Sequence, residues 1–364
     1  MKGQGSTKKT AVVGMSGGVD SSVAAFLLKE QGYDVVGLFM VNWEEESGAC
    51  TAEEDFEDVK RVCNKLGMPY YSVNFAKEYR ERVFAHFLAE YEAGRTPNPD
   101  VLCNREIKFG PFRAYAEKLG ADCIATGHYC GIAHTEEGHL LLKAADAGKD
   151  QTYFLNQVTQ PQLENVLFPL GGMQKSEVRA IAAREGLSTA RKKDSTGICF
   201  IGERNFRKFL QEYLPARPGR ILTADGEEVG QHIGLMYYTL GQRRGLDLGG
   251  KKGEEGGRWF VIGKDVKSNV LYVSHGDESA LYARGCTVSG MNWIPAPPAE
   301  EVFSCTAKFR YRQGEQAVTV TRTGEDTLEI TASEPQRALT PGQYAVLYRG
   351  ERCIGGGVIE TVLQ

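Results

Sequence analysis

A chain of 364 residues, 41% hydrophobic and 25% charged, with 43 glycines and only 13 prolines, has the make-up of an ordinary soluble globular protein and excludes a fibrous or disordered one. Its length exceeds one hydrophobic core, so two or three domains are expected. The net charge of -4 excludes a globally basic coat for nucleic acid, so any such contact must come from local basic patches.

Read along the chain, the apolar run Ala11-Val12-Val13 leads into GMSGGVDSS at residues 14 to 22 and then into the helix-like SVAAFLLKEQG. A turn of this kind, between a buried strand and a helix N-terminus, is an anion site, because its amides and those of the helix's first turn point at one spot. Gly17 and Gly18 let the main chain approach a ligand, and Ser16, Ser21 and Ser22 add hydroxyl donors. A Walker A loop would supply a lysine for the phosphates, and none follows here. Asp20 stands where a magnesium-bridged pyrophosphate can use a carboxylate. The alternative is a serine-capped turn that binds nothing.

Continuous apolar runs at Ala11 to Met15, Val35 to Met40, Tyr70 to Asn74 and Cys123 to Thr126, with helical patterns between them, predict a doubly wound parallel sheet. Ligands in such sheets bind at the carboxyl ends of the strands, where the glycine-serine loop and Gly127-His128 lie. From about residue 131 a hairpin pattern, GIAHTEEGHLLLKAAD, is followed by the amphipathic helix QKSEVRAIAAREG and a helix near Asn205 to Leu214. Short strands broken by glycine and acidic turns then predict a small β-rich linker domain. From about 283 the period-two segments AVTVTRT, TLEITAS and YAVLY predict a β-barrel, with NWIPAPPAE as a connection. The division expected is 1–210, 211–282 and 283–364. The fold class is multidomain α/β plus β.

Nine cysteines with no CxxC pair form neither a disulfide framework nor a zinc site, and most are expected to be small core residues. Two differ. In TPNPDVLCNREIKFGPF, Asp100 is placed to cap a helix and Cys103 then falls at its third position, where the dipole lowers a thiol pKa; Arg105 and Lys108 act in the same direction. In RKKDSTGICFIG, Cys199 follows the cations Arg191 to Lys193, a setting suited to a thiolate or persulfide. Taken singly, each segment leaves a structural cysteine equally open. With no apolar stretch of about eighteen residues and no secretory leader, a cytoplasmic location with no membrane partner is expected.

Together SGGVDSS, NPDVLCN, GHY, KDQTYFL, DSTGICFIG, YTLGQRRGL and FRYRQ, in this order and over nearly the whole chain, resemble the tRNA-specific 2-thiouridylases, whose loop is that of the ATP pyrophosphatases. The resemblance implies an adenine nucleotide alpha hydrolase-like PP-loop domain and ATP-dependent 2-thiolation of the wobble uridine. It implies Cys103 as nucleophile, Cys199 as persulfide carrier, a redox disulfide between them, and Asp100 as acid/base residue with Asn98 and Pro99 beside the target base. Gly14, Met15, Ser16, Gly17, Gly18, Val19, Asp20, Ser21, Met40 and Gly127 would contact ATP with its Mg2+. His128, Lys149, Asp150, Gln151, Arg310, Tyr311 and Gln343 would contact tRNA. Arg243, Arg244, Lys308 and Arg312 join Arg310 as candidates for backbone phosphates, and a sulfur donor protein is the further partner. No DNA partner is expected. The rival of the same loop family is an adenylating amide-forming ligase, which needs a nitrogen source that no segment here supplies.

Overall fold

The computed structural model describes residues 8–44, 51–194, 206–249 and 257–364. The first sheet is built from β1 (Thr10–Met15), β2 (Asp34–Val41), β3 (Tyr70–Asn74), β4 (Cys123–Ala125) and, beyond a hairpin of β5 (Gly131–Thr135) and β6 (Gly138–Leu142), the short β7 (Val166–Leu167). All its strands are parallel, in the order β3-β2-β1-β4-β7. Ala11, Val12, Val13 and Met15 are fully buried because helices cover both faces, which is why their run does not alternate.

The helices are α1 (Val19–Glu30), α2 (Thr51–Leu66), α3 (Ala76–Tyr79), α4 (Ala85–Glu92), α5 (Pro99–Cys103), α6 (Pro111–Lys118), α7 (Thr152–Leu155), α8 (Gln160–Leu163), α9 (Lys175–Arg184) and α10 (Phe206–Tyr213). In α2, Glu53 and Glu54 in the first turn and Lys65 in the last complement the dipole. Val19, Val23 and Ala24 of α1 pack with Val178 and Ala182 of α9, so α9 is held against the helix that follows the glycine-serine loop.

The linker sheet has the order β10-β11-β8-β9, from β8 (Gly219–Thr223), β9 (Glu228–His232), β10 (Trp259–Asp265) and β11 (Val270–His275). The last six strands are β12 (Tyr282–Trp293), β13 (Val302–Lys308), β14 (Gln316–Arg322), β15 (Leu328–Arg337), β16 (Tyr344–Arg349) and β17 (Arg352–Leu363). They are antiparallel and close on themselves through β12 and β17, which removes both edges. Alternate residues such as Val318, Val320 and Ile330 fill the interior.

One connection was not legible in the pattern. Strand β6 bonds to β17, with Leu141 opposite Cys353, so the hairpin after β4 extends the barrel's sheet instead of the parallel one. A period-two pattern fixes which face of a strand is buried but does not name its neighbour.

Candidate active site

Strands β2 and β3 lie on one side of β1, and β4 and β7 on the other, so the order switches between β1 and β4. The crevice at their carboxyl ends is where ligands of such sheets bind. From β1 comes the turn Ser16-Gly17-Gly18, and from β4 comes Thr126-Gly127-His128. Gly17 has φ +72°, and a Cβ there would lie 2.5 Å from the Asp55 carbonyl oxygen. A Cβ on Gly127 would lie 2.8 Å from the Ser21 amide nitrogen. Both glycines are required by close backbone approach, and the amides of the α1 first turn stay open to a phosphate.

The serines act differently from the sequence expectation. Ser22 Oγ donates to the Gly18 carbonyl at 2.8 Å and accepts from Thr189 Oγ1 at 3.0 Å, while Ser21 Oγ accepts the Ser16 amide at 3.1 Å. Gly18 occupies the N-cap of α1 with no side-chain cap. Ser21 and Ser22 therefore hold the loop's shape, and only Ser16 is exposed.

Asp20 is not a lone carboxylate. Its oxygens accept from Lys175 Nζ at 2.6 and 2.8 Å, and Oδ1 also accepts from Tyr129 Oη at 2.9 Å. Lys175 reaches Asp194 as well, at 2.9 Å. Burial works against ionisation of Asp194, but hydrogen bonds from Lys149 and Lys175 pull its carboxyl down to about 2. Of the three cations expected to favour a thiolate, Lys192 is spent on Asp55 and Asp58 at 2.6 and 2.7 Å. Arg191 and Lys193 remain exposed. Cys199 itself, with the motif DSTGICFIG beyond Asp194, lies outside the described residues.

Cys103 is buried at 3% exposure at the end of α5. The cap is a correction: Asn98 occupies it and its side chain accepts from the Asp100 amide at 3.2 Å, with Pro99 at the first helical position. Proline there supplies a preset φ and lacks an amide that would go unpaired. Asp100 is thus the second helical residue and Cys103 the fifth, two positions further from the positive end than expected. A π-helical turn, Asn104–Lys108, follows directly, and Asn104 anchors it by donating to the Phe154 carbonyl at 2.9 Å.

Freed from capping, the Asp100 carboxyl faces inward. Burial raises its pKa above the ordinary carboxylate value, and Lys108 opposes the shift. His128 is 9% exposed, bonds Thr126 Oγ1 through Nδ1 at 2.7 Å, and is held well below the usual histidine range by burial and then by Lys108. A neutral imidazole serves as a hydrogen-bonding group and not as a phosphate cation. Lys108 thus acts electrostatically on both Asp100 and His128, and the Phe109 ring stands 6.3 Å from the His128 ring, which sets the cysteine helix beside the carboxyl end of β4. The other described cysteines behave as core residues: burial pushes Cys63, Cys286, Cys305 and Cys353 to about 12 and Cys123 to about 11, and holds Cys130 well above the ordinary thiol value.

Comparison with known proteins agrees over the whole length. Family models match residues 9–203 (tRNA methyl transferase HUP domain), 207–275 (tRNA methyl transferase PRC-barrel domain) and 283–359 (Aminomethyltransferase beta-barrel domain). The tRNA-specific 2-thiouridylase MnmA of Streptococcus pyogenes serotype M2 (strain MGAS10270) is 58% identical over 362 residues, 98% of this chain and 97% of that protein. The chain belongs to the tRNA-specific 2-thiouridylase family. The counterpart from serotype M18 (strain MGAS8232) is equally similar, 58% identical over 98% of this chain and 97% of its own length. The methyl transferase wording of the family models yields to this full-length identity. A 4-thiouridine synthetase in complex with RNA and bound ATP has a TM-score of 0.36, is 18% identical and covers 57% of this chain and 50% of its own, a likeness too low to carry an argument.

For the 2-thiouridylase family the resemblance implied a set of tRNA-contacting residues, and the structure distributes them unevenly. Asp150 is 5% exposed and occupied by the Ala144 amide, the Thr152 hydroxyl and Lys308 Nζ at 3.1, 2.8 and 3.5 Å. Gln151 Oε1 accepts the Tyr129 amide at 2.9 Å. Lys149 pairs with Asp194 at 2.7 Å. The Arg310 guanidinium donates to the Thr340 hydroxyl at 2.8 Å, and Tyr311 packs on Phe154 with ring centroids 4.3 Å apart. Arg243, Arg244 and Arg312 are exposed and remain open to phosphates. Met40 sits part-buried near the carboxyl end of β2.

Gln343 points at the cysteine helix. Its amide donates to the Thr96 and Pro97 carbonyls at 2.8 and 3.4 Å, and the Thr96 amide donates to the Pro341 carbonyl at 2.9 Å. Arg95 ties the same loop to Glu90 and to Glu360 of β17 at 2.7 and 2.6 Å. The barrel therefore holds the entry to α5. Replacing Gln343 by Ala is expected to lower kcat about 10-fold, since small misplacements of reacting groups are costly, with tRNA affinity changed by less than about 3-fold. Filter binding beside single-turnover thiolation checks this; equal losses in both would return Gln343 to the RNA interface.

No described helix is long and apolar enough to cross a membrane.

Proposed function

We propose that this chain converts the wobble uridine of tRNA to 2-thiouridine with ATP, by making the uracil C2 oxygen a leaving group and replacing it with persulfide sulfur. The observation that carries the reading is the 58% identity to 2-thiouridylases over 98% of the chain. The amide-forming ligase reading has no support from these relatives. The test is purified protein with ATP, a sulfur donor and an unmodified tRNA transcript, followed by nucleoside analysis for 2-thiouridine; formation of none would refute it.

Uracil C2 is a poor electrophile because oxide is a poor leaving group. In this reading O2 attacks the α-phosphorus of ATP and the bond to pyrophosphate breaks, with the loop amides after Gly17 receiving the departing charge. The positive φ of Gly17 and the close approach of Gly127 to the Ser21 amide, which only a glycine permits, fix the loop backbone in a form that can present its amides to a nucleotide. Asp20 is the residue that would help hold Mg2+ arriving with the nucleotide, and the ion would supply charge neutralisation at the phosphates. The terminal sulfur of a persulfide on Cys199 then enters at C2 and AMP leaves with the oxygen. The Cys103 thiolate takes the Cys199 sulfur, so the sulfur-sulfur bond breaks toward the base and a Cys103-Cys199 disulfide remains. An external two-electron reductant resets it. Release of a hydrosulfide by Cys103 before attack gives the same products. The persulfide comes from a cysteine desulfurase or relay protein. The target base has to leave the anticodon stack, at a cost of a few kcal/mol, and Asn98 and Pro99 stand at the mouth of the helix that carries Asp100 and Cys103.

Asp100 serves here as the proton acceptor at the uracil and is active when ionised. Because burial raises its pKa, activity should climb with pH through a value above the ordinary carboxylate range. Asp100→Asn should remove that acid limb and lower kcat by about 10²-fold with tRNA affinity retained. A pH–rate profile of both proteins checks this; an unchanged acid limb in the variant would contradict the assignment.

A further inference from the structure

The glycine-serine loop lacks a lysine of its own, yet a lysine is present in space. We propose that Lys175, the first residue of α9, is the cation that meets the β and γ phosphates at this loop, leaving its ion pair with Asp20 when nucleotide binds. The inference rests on the nucleotide reading above and names a residue 155 positions from its carboxylate partner.

Three observations carry it. Lys175 sits at the N-terminal position of α9, with Gln174 at the cap, where the helix dipole repels a cation and the sequence preference is for acidic residues. The α9 helix therefore gains nothing from this charge. Second, its side chain is 12% exposed and its ammonium is pinned between both oxygens of Asp20 and one of Asp194, with the Tyr129 ring 5.5 Å away. Third, Asp20 is the second residue of α1, so its carboxylate stands among the amides that would receive pyrophosphate. An anion arriving there meets repulsion from Asp20 unless the neighbouring cation is shared with it. Lys175 is the ammonium bonded to that carboxylate, and moving to the phosphate frees an Asp20 oxygen for the metal that accompanies the nucleotide. No bond to carbon or phosphorus changes in this exchange.

The alternative is a purely structural bolt between α1 and α9. The two are separated by measuring binding of inorganic pyrophosphate, of α,β-methylene ATP and of AMP, all with Mg2+, to the full chain and to Lys175→Met and Lys175→Arg. Loss of a charge-assisted contact should weaken pyrophosphate and the ATP analogue by about 10- to 100-fold in Lys175→Met, and AMP by less than about 2-fold. Lys175→Arg, which keeps the charge, should recover most of the loss. Equal weakening of AMP and pyrophosphate, or wild-type pyrophosphate affinity in Lys175→Met, would overturn the inference. Absence of analogue and pyrophosphate binding by the unaltered protein would instead overturn the nucleotide reading, and this inference with it. Should Lys175→Met fail to fold, the same ligand series on Lys175→Gln, which keeps a donor for Asp20 without the charge, decides by the same criterion.

Discussion

Cys103→Ala is expected to yield a protein that binds tRNA and ATP but forms 2-thiouridine at least about 10³-fold more slowly, since a nucleophile that acts as one of a pair has no substitute. The side chain is 3% exposed at the end of a capped, proline-started helix, so it has one defined direction. Removing a single sulfur from that position costs about 1 kcal/mol of packing, well short of unfolding a chain of this size. The thermal midpoint should therefore hold while thiolation is lost. Two measurements decide: nucleoside analysis of product, and electrophoretic binding of the transcript. Activity within about 10-fold of the unaltered protein would remove Cys103 from the mechanism. Cys63 offers the matched control, because burial pushes its thiol to about 12 and it lies in the core between β2 and α2. Cys63→Ala should change the rate of thiolation little.

Gly17→Ala is the second large effect. With φ at +72° and the Asp55 carbonyl oxygen 2.5 Å from where the methyl would stand, the alanine meets both backbone strain and a backbone clash. The obstacle is main chain, not the end of a flexible side chain, so relief requires moving either the loop or the first turns of α2. Strain of about 1–3 kcal/mol at the loop converts to a loss of about 10- to 100-fold in affinity for ATP, and misalignment of the amides adds to it in kcat. We expect kcat/KM for ATP to fall by at least about 10²-fold with tRNA binding retained. Gly32→Ala is the comparison: φ is also positive there, at +89°, but nothing lies within 4 Å, so it should lower stability without touching ATP. A Gly17→Ala protein with unaltered KM for ATP would show that this loop is not where the nucleotide sits.

Strands β1, β2 and β4 were legible because covered faces leave unbroken apolar runs, each within one residue of its pattern; β3 matches Tyr70–Asn74 although it is an edge strand with Tyr71 exposed, and the two-residue β7 was not legible. Strands β14 and β15 were legible for the opposite reason, one wet face giving alternation, as in the burial of Val318, Val320 and Ile330, whereas YAVLY of β16 is buried at all five positions and does not alternate. What sequence spacing could not reach was partnership across the fold. The bond between β6 and β17, the grip of Gln343 on Thr96 and the pair between Lys175 and Asp20 join residues 155 to 247 positions apart, and no local pattern encodes them. One weak signal did exist for Lys175, a cation at the start of a helix that should prefer an anion. The helix cap was misassigned between Asn98 and Asp100 because both are good caps and only the backbone distinguishes them; Pro99 at the first helical position was the clue in favour of Asn98. In the three-cation run before Asp194, Lys192 has partners, Asp55 and Asp58, that charge read from sequence omits, while Arg191 and Lys193 stay exposed.

In the proposed reaction the uracil oxygen becomes part of AMP. The most direct measurement uses a tRNA transcript whose uridines carry ¹⁸O at C2, incubated with the protein, ATP and a sulfur donor, with the released AMP analysed by mass spectrometry. One ¹⁸O in AMP for each 2-thiouridine formed is the predicted result. Unlabelled AMP accompanying 2-thiouridine, or ADP as the nucleotide product, would contradict it.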